Sequence, residues 1–221
     1  MMPTTAALPA SVELEALLGL LRQLVWESCD ILRAYARGEQ PPFGYPAALS
    51  VDEGGEGPVS AADLAVNQHL LEGLRRGFPD APWTLLSEET AAEQMASGEP
   101  LPGEWIWILD PLDGTKDFLQ GTGEYAVHLA LVRQQRPVLG VVLQPEREEV
   151  WFGLVDEQKA WCETRDGTQR PAQLSSRAQR SDLVLVASRN HRDERLERLL
   201  EALALGDTKA IGSVGGKVAT I

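Results

Sequence analysis

The sequence predicts a mixed α+β chain that turns to an alternating α/β pattern near its end, and three observations predict it. Apolar residues recur at helical spacing in two early stretches; a series of short β-like runs with turn residues between them follows; after a polar stretch at 175–181, strand alternates with helix. The chain is accordingly divided into an α+β domain at 1–180, expected to carry the chemistry, and the opening of an α/β domain at 181–221.

From Ser11, the residues Leu14, Leu17, Leu18, Leu21, Leu24, Val25 and Leu32 form an apolar stripe with Glu13, Glu15, Arg22 and Glu27 between them, the pattern of one long amphipathic helix. The segment 38–58 is rich in Gly, Pro and acidic residues without period and reads as a surface loop. Ser60 then fits an N-cap with Asp63 three residues on, and Leu64, Leu70, Leu71 and Leu74 make a second helical stripe that Gly77-Phe78-Pro79 ends. Strands are expected at 83–86 and 105–109, each running into acidic residues. A hairpin is expected at 125–132 and 137–143 about the polar turn 133–136, continued by 150–153 and 160–163 into an antiparallel meander. Strand 183–187, helix 193–203, strand 208–211 and a glycine turn complete the series. The written chain then stops in an apolar run at Ile221, so a C-terminal layer that is incomplete, or that a partner covers, is expected.

A chain of 221 residues that is 43% hydrophobic and 24% charged is neither disordered nor fibrous. Its formal charge, 20 minus 33 or −13, argues against a nucleic-acid polymer as partner and requires that any anionic substrate be attracted by something local, such as a bound cation or a few placed Lys and Arg side chains. No basic stretch precedes an apolar one at the N-terminus, and no run reaches the roughly 18 apolar residues of a membrane span. A cytoplasmic location is expected, with Cys29 and Cys162 as reduced, partly buried thiols.

The densest chemical signal is Asp110-Pro111-Leu112-Asp113-Gly114-Thr115-Lys116-Asp117, directly after an uncharged strand. Pro111 and Gly114 turn the chain, so Asp110 and Asp113 can converge. Two carboxylates held together repel, and one takes up a proton unless a cation lies between them. A hard divalent ion, Mg²⁺ with oxygen ligands at roughly 2.0–2.1 Å, resolves the conflict. Glu88 and Glu89, at the end of the preceding strand, would complete the shell. Taken singly these acids are ordinary: a turn, a solvated pair, and for Asp63 a capping box. Their succession at strand and loop ends is what points to one cleft. Gly121-Thr122-Gly123 follows no full strand and opens no helix, so it is no dinucleotide turn, and Gly215-Gly216-Lys217-Val218 lacks the residues of a P-loop. No G-x-S-x-G nucleophile elbow occurs. His69, His128 and His191 form no ligand cluster by spacing, and His69 and His128 read as satisfied surface or core residues.

With Ser60-Ala61-Ala62-Asp63, Ser87-Glu88-Glu89, residues 107–115 and Gly212-Ser213-Val214-Gly215-Gly216-Lys217, the sequence resembles the inositol monophosphatase family of Mg²⁺-dependent, lithium-sensitive phosphatases. Lys116-Asp117-Phe118 and Ser188-Arg189-Asn190-His191 look most like its 3′(2′),5′-bisphosphate nucleotidase branch, which takes the 3′-phosphate from adenosine 3′,5′-bisphosphate in sulfur metabolism. The resemblance implies a layered αβαβα sugar-phosphatase fold and two or three Mg²⁺ per site. It implies Glu88, Asp110 and the Leu112 carbonyl as ligands of a first ion, with Asp110 and Asp113 sharing a second. Thr115, paired with Asp63, would take the proton of the attacking water, with Glu88 also in the catalytic set. Glu88, Leu112, Asp113, Gly114 and Thr115 would meet the phosphate, and His191, Ser213 and Lys217 the far side of the substrate.

Family members continue to a Trp-Asp motif whose aspartate holds the second metal. The chain as written lacks it, so weak second-metal binding and reduced turnover are expected. Inositol monophosphate or a sugar phosphate is the alternative substrate of the same fold, and a non-catalytic metal- and phosphate-binding protein is the alternative of another class. A monomer or a homodimer is expected.

Overall fold

The computed structural model describes residues 8–54, 57–96, 98, 103–189, 194–203 and 206–220. Two helices, α1 (Leu14–Ala36) and α2 (Ala61–Gly77), lie against one face of a seven-stranded sheet. The sheet runs in chain order through β3 (Trp83–Ser87), β4 (Trp105–Asp113), β5 (Ala126–Arg133), β6 (Arg136–Gln144), β7 (Glu149–Leu154), β8 (Lys159–Thr164) and β9 (Gln169–Pro171). It is the expected meander with two additions: β9 extends it, and β3 joins β4 in parallel, so the sheet is mixed. Parallel β3 needs a long crossover, which α3 (Glu88–Met95) begins.

Alternation sets the faces. Trp105, Trp107 and Leu109 of β4, Leu129 and Leu131 of β5, Leu139, Val141 and Leu143 of β6, and Val150, Phe152 and Leu154 of β7 are buried beneath the helices. Each such Leu contributes about 1.5–3 kcal/mol relative to exposure. The helices approach closely at Gly73, where a Cβ would lie 2.2 Å from the Leu24 side chain. Across the other face, register aligns Ile108, Ala130, Gly140, Gly153 and Ala160, a row of mostly small residues over five strands.

Between the helices, the expected surface loop at 38–58 contains a hairpin instead, β1 (Val51–Gly54) paired with β2 (Gly57–Ser60). Its two short strands lack the alternation of a half-buried strand, which is why the composition concealed them. The last segment matches its expected order: β10 (Val184–Ser188), α5 (Glu194–Leu203) and β11 (Asp207–Ile211), with β10 and β11 parallel in their own two-stranded sheet. The expected glycine turn is in fact the short helix α6 (Val214–Val218), capped by the Ser213 hydroxyl, which accepts from the Gly216 N–H at 2.9 Å.

Buried polar groups tie α1 to the far end of the sheet. Glu163 accepts a bidentate pair from Arg22 at 2.8 and 2.9 Å, the Trp161 indole N–H at 2.6 Å and Gln169 at 2.9 Å. Burial alone would raise Glu163, but the Arg22 and Trp161 hydrogen bonds outweigh it and hold the carboxyl below its usual range. Cys29 and Cys162 are free and fully buried. Burial pushes the Cys29 thiol up to about 12.

Candidate active site

Strand β4 does not stop at Leu109 as its sequence suggested; it continues to Asp113 with a register break between Asp110 and Asp113. The bulge formed by Pro111 and Leu112 re-aims the strand end, as bulges beside functional sites do. Gly114 follows in the left-handed region (φ 92°), where a Cβ would lie 3.1 Å from the Glu124 carbonyl oxygen, so the turn needs glycine twice over. Helix α4 (Thr115–Leu119) then begins.

This geometry places Thr115 against α2. Its hydroxyl lies 3.1 Å from Asp63 Oδ1 and 3.1 Å from the Leu112 carbonyl oxygen, both acceptors within reach. Asp63 closes the capping box as expected: its Oδ2 accepts the Ser60 N–H at 2.8 Å and the Ser60 hydroxyl, while Ser60 Oγ accepts from the Ala62 N–H. The same carboxylate therefore caps α2 and faces Thr115. Burial raises its affinity for a proton above that of an ordinary aspartate, even though the hydrogen bonds from Ser60 and Thr115 act the other way.

Glu88 and Glu89 do not end a strand; they open α3, where acidic residues complement the helix dipole. Burial, with Asp63 and Glu88 nearby, pushes Glu89 up to about 7. Burial and the Glu88 charge likewise lift Asp110 well above the usual carboxylate range. Glu88, Ile108, Asp110, His128 and Val142 line one cavity of about 520 Å³.

His128 requires the main correction. Read from sequence as satisfied and outside any cluster, it pairs directly with Asp110 across the β4–β5 ladder. Its Nδ1 stands 3.8 Å from Asp110 Oδ2 and its Nε2 3.2 Å from Asp113 Oδ2. Asp113 Oδ2 also accepts the Gly215 N–H at 2.9 Å. Burial would raise Asp113, yet His128 and the Gly215 amide together hold it low; the adjacent Asp113 carboxylate correspondingly lifts His128 above its ordinary value against the effect of burial. The available signal was a lone imidazole in the apolar run 126–131, on the face opposite to Leu129. His69, by contrast, is satisfied as expected, with Nε2 2.9 Å from Glu27 and its ring stacked on Phe43.

Of the remaining candidates, Ser213 and Lys217 belong to α6 and its cap. Ser213 is buried and occupied as the α6 cap. Lys217 Nζ donates to the Gly212 and Ser213 carbonyl oxygens at 3.2 and 3.1 Å, leaving one of its three donors uncommitted by those bonds. Gly212 donates its N–H to Glu124 Oε2 at 2.7 Å, and Glu124 also pairs with Arg189. His191 lies outside the described residues.

Among the described residues, no three His, Cys, Asp or Glu side chains already stand as a shell around one point. The chemistry of the donor set nonetheless fits a hard cation. Glu88, Asp110 and Asp113 are oxygen donors at one end of the sheet, and the protons favoured on Asp110 and Glu89 mark negative charge crowded out of water.

A model of the inositol monophosphatase family matches residues 13–221. The chain belongs to that family. The 3′(2′),5′-bisphosphate nucleotidase CysQ of Salmonella typhimurium is 39% identical over 160 residues, which are 72% of this chain and 60% of that protein. The Escherichia coli protein of the same name is 37% identical over 165 residues, 74% of this chain and 62% of its own. The chain thus spans about 60% of the length of these curated relatives. Among solved structures, the extragenic suppressor protein suhB from Bartonella henselae superposes with a TM-score of 0.71 at 23% identity, over 93% of this chain and 74% of that one. An IMPase/NADP phosphatase complexed with NADP and Ca²⁺ gives a TM-score of 0.71 at 16% identity, over 92% and 70%. These neighbours establish the fold of the family, the layered α+β architecture expected from sequence. No described helix is long and apolar enough to cross a membrane.

Proposed function

We propose that the chain hydrolyses phosphate monoesters with the help of divalent cations, and that its substrates are 3′(2′),5′-bisphosphate nucleotides such as adenosine 3′,5′-bisphosphate. The observation that carries the reading is the Thr115 hydroxyl, 3.1 Å from a buried Asp63 carboxylate at the end of a strand that bears Asp110 and Asp113. The similarity to the CysQ nucleotidases supports the substrate class.

Glu88, Asp110, Asp113 and the Leu112 carbonyl would hold Mg²⁺, which when bound supplies Lewis-acid stabilisation of charge on the phosphoryl oxygens. Thr115 and Asp63 form the proton path: the hydroxyl takes the proton of an attacking water and hands its own to Asp63 Oδ1, a carboxylate that burial makes more basic. The Gly114 and Thr115 amides, with Glu88, Leu112 and Asp113, orient the phosphate. Lys217 offers its uncommitted donor, and Ser213 and His191 belong to the far side of the substrate. In a chain of charge −13, the cation and Lys217 give a bisphosphate its local attraction.

Initial rates of phosphate release from adenosine 3′,5′-bisphosphate, inositol 1-phosphate and a sugar phosphate, with and without Mg²⁺, test the reading. The nucleotide is expected to show at least about tenfold higher kcat/KM, which corresponds to about 1.4 kcal/mol of transition-state preference. Equal rates would contradict the substrate class, and rates indifferent to Mg²⁺ would contradict the metal. Binding of the nucleotide without turnover would put a metal- and phosphate-binding protein in place of the enzyme.

A further inference from the structure

We propose that His128 is a nitrogen ligand of the divalent cation that Asp110 holds, so that this site favours Mn²⁺, Co²⁺ or Zn²⁺ over Mg²⁺ more than carboxylates alone would. The inference rests on the phosphatase reading above and adds a donor from β5, outside the Asp-Pro-Leu-Asp-Gly-Thr segment.

The two ring nitrogens of His128 stand in different surroundings. Nε2 is sealed from solvent and lies 3.2 Å from Asp113 Oδ2, at ion-pair distance but not aligned for a hydrogen bond. Nδ1 faces Asp110 Oδ2 across 3.8 Å, too far for a hydrogen bond. A ligating histidine typically gives the proton of one nitrogen to a carboxylate and turns the lone pair of the other to the metal. Asp113 stands close enough to Nε2 to accept its proton after a small turn of the ring, which is the first half of that arrangement, and the gap between Nδ1 and Asp110 provides the second. Two donors each about 2.1 Å from one ion stand roughly 3–4 Å apart, the separation seen here.

The placement is built into the fold. His128 and Asp110 are direct partners in the β4–β5 ladder, so their side chains share a face and a position that neither strand can alter alone. Gly215 makes the room: a Cβ there would lie 2.3 Å from His128 Nε2, and its N–H fixes Asp113 by the bond at 2.9 Å. Glu88, on the same cavity, is the third side chain available to the ion once the cation offsets the repulsion among the carboxylates. An imidazole donor raises affinity for the later first-row metals, whereas Mg²⁺ prefers oxygen and gains little from it.

The test uses Mn²⁺ alone as probe, with electron spin-echo modulation of the protein loaded with one equivalent. ¹⁴N modulation is expected; it should change to the ¹⁵N pattern when histidine is ¹⁵N-labelled and vanish in His128→Asn. Calorimetry should show Co²⁺ affinity falling about tenfold or more in His128→Asn while Mg²⁺ affinity changes less than about threefold. Mn²⁺ bound without nitrogen modulation, or modulation that persists in His128→Asn, would overturn the ligand assignment and leave the phosphatase reading in place, with His128 only a counter-ion to the two aspartates. The labelling arm needs no substitution, so it decides the matter even if the variant folds poorly. No binding of Mn²⁺, Co²⁺ or Mg²⁺ at millimolar concentration would overturn both readings.

Discussion

A single hydroxyl separates the proposed catalytic arrangement from a helix cap. Asp63 needs only Ser60 to finish α2, and its second oxygen is what Thr115 reaches. Thr115→Val keeps the volume and removes the hydroxyl; kcat is expected to fall about 10²- to 10⁴-fold, with Mg²⁺ affinity by calorimetry unchanged within about threefold. A fall in both would make Thr115 part of metal binding instead. Glu163 offers a separate residue-scale test, of stability. Its folded pKa is depressed, so the stability it contributes is present above the unfolded value of about 4.3 and is lost as pH falls through the folded value. Glu163→Gln, which removes the hydrogen-bonded counter-charge of Arg22 in a part-buried pair, is expected to cost about 1–2 kcal/mol at pH 7 in urea unfolding. The difference from the parent protein should shrink toward pH 4, and a difference constant with pH would contradict the assignment. Asp110 and Asp113 stood out in the sequence as candidates because the chemistry of the turn singles them out locally, whereas Asp63 read locally as a helix cap and Thr115 entered through the family resemblance. His128 was not legible, because its meaning depends on a partner 18 positions away whose register no local pattern states.

At the scale of elements, the bounds of α1 and α2 were legible to within a few residues and the α1 stripe is buried. In α2, however, Leu64 is exposed against expectation while Asp63, Asn67 and His69 are buried, because that helix also packs polar side chains against its neighbours. Strand alternation located β4 to β8. The hairpin of β1 and β2, the bulge that extends β4, and α6 were not legible. Each is short; the hairpin lacks alternation, and α6 is seated by a contact distant in sequence, the Gly215 N–H on Asp113. Helix α6 is where this matters most. Gly215→Ala would set a methyl 2.3 Å from His128 Nε2 and 2.8 Å from both Ala126 and Val142 side chains. A loss of about 1–3 kcal/mol in urea unfolding is expected, together with displaced His128 imidazole resonances in NMR spectra. Unchanged resonances would mean that α6 does not seat against the imidazole.

For the whole molecule, the decisive division is between the two sheet faces: one closed by α1 and α2, the other carrying Asp110, His128 and the row of small residues. Composition and periodicity settled the class of fold, but the parallel entry of β3 could not be read from them, because parallel and antiparallel neighbours share the same local pattern. Cys29 and Cys162, both fully buried with thiol pKa values raised by burial, give a global reporter. Iodoacetamide at pH 8 is expected to leave both unmodified over hours in buffer and to label both once urea unfolds the chain. Rapid labelling of Cys29 in buffer would reveal local opening of α1 at far lower cost than global unfolding.

The meander has an order of assembly written into it. Strands β4 to β9 pair with their neighbours in the chain, so each hairpin closes a loop no longer than its own turn or insert, whereas β3 must find β4 across the intervening segment. The turn that joins β5 to β6 holds Gln134 and Gln135 at φ 47° and 65°, a left-handed pair that glycine adopts more cheaply. Gln135→Gly is therefore expected to speed refolding in stopped-flow experiments and hardly change unfolding, while truncations in β3 speed unfolding and leave refolding alone. On that order of events the β5–β6 hairpin that carries His128 is present early, Asp110 joins it across the insert that holds α4, and the carboxylates at the start of α3 arrive last, so the imidazole is in place before the acids that come to face it.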